Sequence, residues 1–250
     1  MNVIKTEFLI CCCLLAAVVL GVRLRTFLPE QHLSAESRDA IKLALGLVAT
    51  MTAILLGLLV SSAKTTYDTE RNEVVQIAAK ITFLNRLLTI YGPEAEPVRV
   101  HLRDAVAASV KSARPEMSES TLSNASQQSN GEIYLAIQNL PAHDDMQRGL
   151  KAQAAATLID VGQLQTLLMA QSLPSISMPL LVALVSWLFV IFLGFSMLAP
   201  SNMTTTVILV ASVFSVAIAV FLIVELDQPM RGVIRISSEP ILNALDQFPK

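Results

Sequence analysis

The feature that most constrains this chain is a long stretch without a single charged side chain, which runs from Val161 to Val224. One helix needs roughly 20 apolar residues to cross the hydrocarbon layer of a bilayer, which is about 30 Å thick. The stretch holds two runs of that length, Met178 to Ala199 and Thr204 to Val224, and Pro200 between them predicts a tight connection. The two runs therefore predict a membrane hairpin.

Two further apolar runs lie nearer the N-terminus. Leu43 to Ala63 is long enough to cross a bilayer, whereas Phe8 to Val22 is shorter. The shorter run can be interpreted as a secretory signal peptide, because Lys5 precedes it, or as an uncleaved first helix. We favour the uncleaved helix, because no small-x-small cleavage site occurs before Arg23 and Arg25. The sequence therefore predicts four membrane spans.

Composition agrees with a membrane protein and excludes other classes. Apolar side chains make up 53% of the 250 residues and charged ones 15%, with a mean hydropathy of +0.58. A soluble domain is usually less apolar and more charged. The 18 basic and 20 acidic residues nearly cancel, so the chain lacks the basic surface that nucleic acid requires. We expect a lipid bilayer as a partner and no nucleic acid.

The region between the second and third spans carries helical patterns. Apolar residues recur every three or four positions from Val74 to Tyr91, and Gly92 then ends the pattern. The second span is therefore predicted to continue as one helix from about Ile41 to Tyr91, which is about 75 Å at 1.5 Å per residue. Two more helices are predicted at about 94–113 and 144–171, and a flexible linker at about 115–130.

These patterns predict an all-α fold: four transmembrane helices with a helical extramembrane bundle inserted between spans two and three. The predicted segments are 1–63 with the first two spans, 64–177 as a cytosolic bundle, 178–225 as the transmembrane hairpin, and 226–250 as a C-terminal cytosolic segment. Basic residues near the spans are slightly more numerous on the side of both termini. The positive-inside rule therefore places the termini and residues 64–177 in the cytoplasm.

No pattern typical of catalysis or of cofactor binding occurs in the sequence. The three histidines are scattered, and neither a zinc-protease motif nor a phosphate-binding glycine loop is present. His143, Asp144 and Asp145 are adjacent, and we interpret them as the cap and acidic first turn of a helix rather than as metal ligands. We expect no enzymatic activity, no metal site and no cofactor.

The candidate site is one face of the second span, where small and hydroxyl side chains recur at helical spacing. One interpretation is a seam of close helix packing; the other is the wall of a narrow pore repeated around an oligomer, with a ring of lysines at its mouth. Asp68, Glu70 and Glu73 follow the lysine, so a mixed field is expected beyond it. The face consists of Gly46, Thr50, Ala53, Gly57, Ser61 and Lys64.

Four blocks of the sequence, taken in order, resemble those of a known family. The blocks are "LVATMTAILLGLLVSSAKTTYDTERNEV", "LNRLLTIYGPEAEPVRVHLRDAV", "LVALVSWLFVIFLGFSMLAPSNMT" and "ELDQPMRGVIRIS". They resemble bacterial membrane proteins of unknown function labelled bestrophin-like, and the resemblance covers nearly the whole chain. It implies a mostly helical, four-span protein of the bacterial inner membrane. True bestrophins are pentameric anion channels, but their neck and their acidic calcium-binding cluster have no match here.

Two hypotheses for the function follow. The first is a homo-oligomeric channel or transport-related protein, with self-association through the second span and an inorganic anion as the ligand. The second is a non-conducting membrane scaffold or sensor, in which the cytosolic bundle binds a partner and the long helix transmits its state.

The predicted topology can be tested by labelling single cysteines in intact cells with a reagent that does not cross the membrane. Cys11, Cys12 and Cys13 would first be replaced by serine. Cysteines placed at Ser34 and Ser201 are expected to react, and one at Ser123 to react only after lysis. Reaction at Ser123 but not at Ser34 would invert the topology.

Overall fold

The structure, a computed structural model, describes residues 3–27, 35–112, 119–171, 176–200, 202–227 and 236–248. These residues form helices joined by short connections and contain no strand, so the predicted all-α class is confirmed. The helices are α1 (Val3–Phe27), α2 (Ala35–Tyr91), α3 (Glu96–Ser112), α4 (Glu119–Gln138), α5 (Asp145–Gln171), α6 (Met178–Leu198), α7 (Met203–Leu226) and α8 (Glu239–Leu245), with a 3-10 turn at Pro93–Ala95.

Four of these helices are long and apolar enough to cross a membrane, as predicted. They are α1 over Thr6–Phe27, α2 within Glu36–Tyr91, and the whole of α6 and α7. Many of their large apolar side chains point outward: Leu43 is 77% exposed and Ile54 74%. Such a surface would be costly in water and is suited to lipid. The chain is a membrane protein on these grounds.

The chain divides into two compact units. The first comprises Met1–Tyr67 and Pro174–Ile234, and the second comprises Asp68–Leu173 and Arg235–Lys250. Helix α2 is continuous in sequence through the boundary, so its residues 35–67 belong to the first unit and its residues 68–91 to the second. The prediction of one helix that continues past the second apolar run is confirmed.

The core of the first unit lies between its four apolar helices. Helix α1 packs against α6 and α7, and α6 packs against α7. Helix α2 contributes Leu59 and Ala63, both fully buried. The other fully buried apolar side chains at the centre are Leu14 and Ala17 of α1, Leu184 of α6, and Val213 and Val220 of α7.

Two glycines allow helices of the first unit to approach closely. A Cβ atom at Gly21 of α1 would collide with the hydroxyl of Ser196 and would lie 2.6 Å from the carbonyl oxygen of Leu193, both on α6. A Cβ atom at Gly194 of α6 would lie 2.6 Å from the methyl carbons of Leu45 on α2. In lipid there is no hydrophobic driving force for helix association, so close van der Waals contact must stabilise it. Small residues permit such contact and are enriched where membrane helices meet. These two contacts join α1, α6 and α2.

The second unit has a core of its own, which residues 77–91 of α2 share with α3, α4, α5 and α8. Polar contacts connect the same helices. The hydroxyl of Tyr91 donates to the carbonyl of Pro141 at 2.5 Å, and Lys80 Nζ lies 2.7 Å from Asp160 Oδ2. The buried Asn85 donates to the carbonyl of Gln247 at 3.3 Å beyond the end of α8.

The structure corrects one part of the predicted domain organisation. The flexible linker at about 115–130 is helical from Glu119 onward, because α4 spans Glu119–Gln138; residues 113–118 lie outside the described part of the chain. Serine, threonine and asparagine, which are frequent in the first half of the α4 sequence, have modest helix propensity. Its second half supplies Ile133 and Ile137 to the core of the second unit, and this tertiary packing stabilises the helix.

The close approach of α1 and α6 generates a stability prediction. Gly21→Ala forces a methyl group into the space held by Ser196, and such overpacking costs about 1–3 kcal/mol. We expect a clear fall in the thermal unfolding midpoint of the purified protein in detergent.

Gly46→Ala is the matched control, because a Cβ atom at Gly46 meets nothing within 4 Å. Alanine has the higher helix propensity, so this variant is expected to be as stable as the native protein or slightly more stable. Equal destabilisation by the two substitutions would show that the contact at Gly21 is unimportant.

Candidate functional site

The six residues predicted to share a face of the second span do so in the structure, and all six side chains are exposed. Gly46 and Gly57 have nothing within 4 Å of the position that a Cβ atom would take. The buried side of the same segment is formed by other residues, namely Leu45, Thr52, Leu59 and Ala63. Within one chain, the predicted face is therefore an open surface and not a packing seam.

The two threonine hydroxyl groups of this segment are bonded within the helix. Thr50 Oγ1 lies 2.9 Å from the carbonyl oxygen of Gly46 and 2.8 Å from that of Leu47. On the buried side, Thr52 Oγ1 donates to Val48 in the same manner at 2.7 Å. A hydroxyl that donates to its own helix keeps its lone pairs available as acceptors. The exposed face is consequently shallow and weakly polar, without an acidic side chain from Gly46 to Lys64.

The face also continues toward the N-terminus of α2. Lys42 precedes Gly46 by four residues, which is one helical turn, and its side chain is exposed. Its Nζ atom lies 3.1 Å from Asp39 Oδ1. The small residues are thus flanked by one lysine at each end, Lys42 and Lys64. Of the two lysines, only Lys64 was predicted from the sequence to belong to this face.

The close helix contacts of the first unit involve glycines that the sequence analysis did not select. Gly21 and Gly194 meet neighbouring helices, whereas the predicted glycines do not. A signal for Gly21 was present in the sequence, because Ala17 precedes it by four residues and the two form a small-xxx-small pattern. Ala17 is fully buried.

The acidic residues that follow the candidate face are not placed as expected. Glu70 is only 1% exposed and Glu73 only 6%, so neither carboxylate lies on the surface of the second unit. Asp68 is partly exposed, and the mixed field beyond Lys64 stays a prediction. The spacing of the two glutamates gave a signal, because 70, 73, 77, 81 and 84 continue the three-and-four pattern of the buried residues of α2.

The interpretation of His143, Asp144 and Asp145 as a helix cap agrees with the structure. Asp144 Oδ1 accepts a hydrogen bond of 2.6 Å from the backbone N–H of Gln147, and the side chain of Gln147 accepts one of 2.8 Å from the N–H of His143. Reciprocal bonds of this kind resemble a capping box at the start of a helix. His143 Nε2 lies 3.2 Å from Glu94 Oε1. Each of these side chains has a structural role at the start of α5.

Comparison with known families gives one match, to the Bestrophin-like domain, which covers residues 12–241. The match includes all eight helices at least in part, and the whole of the candidate face. No curated protein and no solved structure gives a significant match.

The open face of α2 generates a prediction about assembly. If copies of the chain meet through this face, the larger side chain of Gly57→Leu separates them, because small residues are what permits close approach. We expect a smaller assembled fraction in size-exclusion chromatography with light scattering, while the fold of each chain is unchanged.

Leu58→Phe serves as the control, because Leu58 is exposed about 100° away around the same helix. Equal loss of assembly in both variants would show that the glycine face has no special role. Full assembly of Gly57→Leu would exclude close packing at this position.

Proposed function

The chain belongs to the bestrophin-like family, and from this membership together with the open face of α2 we propose that it is a homo-oligomeric membrane channel or transport-related protein for small inorganic anions. The observation that carries the proposal is the composition of the exposed surface of α2. Large apolar side chains such as Ile54 and Leu58 cover one stripe of it, whereas the neighbouring stripe exposes small side chains, namely Gly46, Thr50, Ala53, Gly57 and Ser61. A lipid-facing helix surface is ordinarily covered by large apolar side chains, as at Leu43 and Ile54.

A face of this composition is suited to line a narrow path. Small side chains leave room along the axis of an oligomer. A hydroxyl group of Thr50 or Ser61 could donate to a passing anion when its hydrogen turns away from the helix. Lys64 at one end would form a ring of positive charge, which attracts anions and raises the barrier for cations. At the other end, Asp39 offsets part of the charge of Lys42. No acidic side chain interrupts the segment between the two lysines.

The proposal includes a location and a topology. The bacterial inner membrane is the setting that the family suggests, with both termini and residues 64–177 on the cytoplasmic side. The second unit has an independent core and many charged side chains, which suits an aqueous compartment. In this arrangement Lys64 would lie at the cytoplasmic end of the path.

A scaffold or sensor remains the second candidate, and a specific feature of the structure favours it. Helix α2 supplies core residues to both units: Leu59 and Ala63 to the first, and residues 77–91 to the second. A ligand that changed the packing of the second unit would act directly on the helix that the first unit also uses. This function needs no conducting path and predicts no current.

The two candidates are separated by recordings from the purified protein in planar bilayers under a chloride gradient. The channel hypothesis predicts a current whose reversal potential shows a weak anion preference, which decreases at high salt as the lysine charge is screened. Lys64→Glu is expected to shift the reversal potential toward that of cations.

Arg23→Glu is the control for this shift. It changes the net charge equally at an exposed position on a different helix, α1. A shift in Lys64→Glu alone supports Lys64 as part of the path. An unchanged reversal potential would remove Lys64 from the path, and the absence of current from every variant would favour the scaffold.

A further inference from the structure

A cavity of about 360 Å³ lies within the first unit, where α1 and α6 end and α7 begins. Its volume is in the lower part of the range for ligand sites, roughly 300–1,000 Å³. Arg25 and Thr26 line it from α1, and Asn202, Thr205 and Thr206 line it from the start of α7. No acidic side chain is among the described residues that line it. The cavity has no part in the proposed conduction path, which follows α2.

Arg25 gives the cavity its charge. The guanidinium is partly buried and donates from Nη1 to the carbonyl oxygen of Ala199, just past the end of α6. This contact holds the side chain across the end of α6. A guanidinium carries five N–H donors in a planar fork, and such a fork matches the oxygens of a phosphate group. Among the described residues, the carbonyl of Ala199 accepts one of these five donors, and a ligand phosphate could accept others.

The opposite wall also offers donors. Helix α7 begins at Met203, and the side chain of its cap residue, Asn202, makes no capping hydrogen bond. The N–H groups of the first turn of a helix have no partner within the helix, whereas the N–H of Thr206 already donates to the carbonyl of Asn202 at 3.1 Å. Thr205 adds a hydroxyl group to the lining, whereas the hydroxyl of Thr206 donates to the carbonyl of Asn202 at 3.3 Å. The polar lining thus favours an oxyanion.

The position of the cavity indicates the source of that oxyanion. Three candidate spans have their ends here: α1 at Phe27, α6 at Leu198 and α7 at Met203. The ends of membrane helices lie near the level of the lipid headgroups. Val22 and Leu209 complete the lining with apolar surface, which suits the glycerol and the first carbons of the acyl chains. Basic pockets between membrane helices are known to bind anionic headgroups.

We propose that this cavity binds the phosphate group of an anionic phospholipid, with Arg25 and the start of α7 as the donors. The lipid would join α1 to the α6–α7 hairpin at the membrane surface. A lipid phosphate fits better than free inorganic phosphate because the remaining lining is apolar and the site lies at headgroup depth. This inference is independent of conduction and holds for the channel and for the scaffold alike.

The test uses the purified full chain in mild detergent, with phosphatidylglycerol, phosphatidylcholine or inorganic phosphate added. Native mass spectrometry measures retained lipid, and thermal unfolding measures stabilisation. We expect phosphatidylglycerol to be retained and to raise the unfolding midpoint by several degrees. Phosphatidylcholine should do so less, because its choline carries a positive charge toward Arg25. Arg25→Gln should weaken retention of phosphatidylglycerol about tenfold, as expected for loss of a charged hydrogen-bond donor.

Arg23→Gln is the matched control. Arg23 lies two residues earlier on α1, carries the same charge, is exposed, and does not line the cavity. It should keep the response to phosphatidylglycerol. Equal losses in the two variants would mean diffuse attraction between basic residues and headgroups and would overturn the site. Stabilisation by inorganic phosphate as strong as that by phosphatidylglycerol would overturn the assignment to a lipid.

A merely structural role for Arg25 is distinguished in the same experiment. If the residue only caps α6, Arg25→Gln lowers the unfolding midpoint but leaves the increment caused by phosphatidylglycerol unchanged, which contradicts the proposal. If Arg25→Gln does not fold, Arg25→Lys keeps the charge but loses the fork and should retain an intermediate amount of lipid. Equal retention of phosphatidylglycerol and phosphatidylcholine by the native protein contradicts the proposal without any variant.

Discussion

The organisation of the first unit depends on one constraint: inside hydrocarbon, every backbone N–H and C=O must be bonded within the protein. Helices satisfy this requirement locally, and so all four apolar runs are helical. Lipid, however, solvates an apolar helix about as well as another helix does, so association must come from close contact. Gly21 provides that contact between α1 and α6, because a Cβ atom there would collide with the backbone of α6. At Gly194 the missing side chain leaves room for the end of the Leu45 side chain of α2.

The same constraint explains why the face of α2 between Gly46 and Lys64 is informative. Small residues have little reason to face lipid, yet all of these are exposed, and a Cβ atom at Gly46 or Gly57 would meet no described residue within 4 Å. The residues that the fold of one chain needs, Leu59 and Ala63, occupy the other side of the helix. Selection for packing within the chain therefore does not account for the outward face. Contact with another copy of the chain, or with ions that pass along the face, would account for its small residues.

Much of the fold followed from the sequence, because hydrocarbon thickness and helical periodicity leave few alternatives. The four apolar helices, the continuation of α2 to Tyr91, and the cap at Asp144 were all predictable. Helix α4 was not, since its first half is rich in serine and glutamine and owes its helical state to the packing of Ile133 and Ile137. The burial of Glu70 and Glu73 was not predicted, because charged side chains are usually exposed, although the two positions share the spacing of the buried residues of α2. Which small residues meet a neighbour is a property of helix pairing, and a single sequence does not specify it.

The contact between α1 and the α6–α7 hairpin has a consequence for biosynthesis. Arg25 and Ala199 are 174 positions apart, so α1 enters the membrane long before its packing partner has been made. At about 5–20 residues per second, the ribosome needs roughly 9–35 s to reach the hairpin. During that interval Gly21 faces lipid or an insertion factor, while residues 68–173 of the second unit are being made. The two units are therefore interleaved along the chain: the first unit waits for the α6–α7 hairpin, and the second waits for α8, which is synthesised after both.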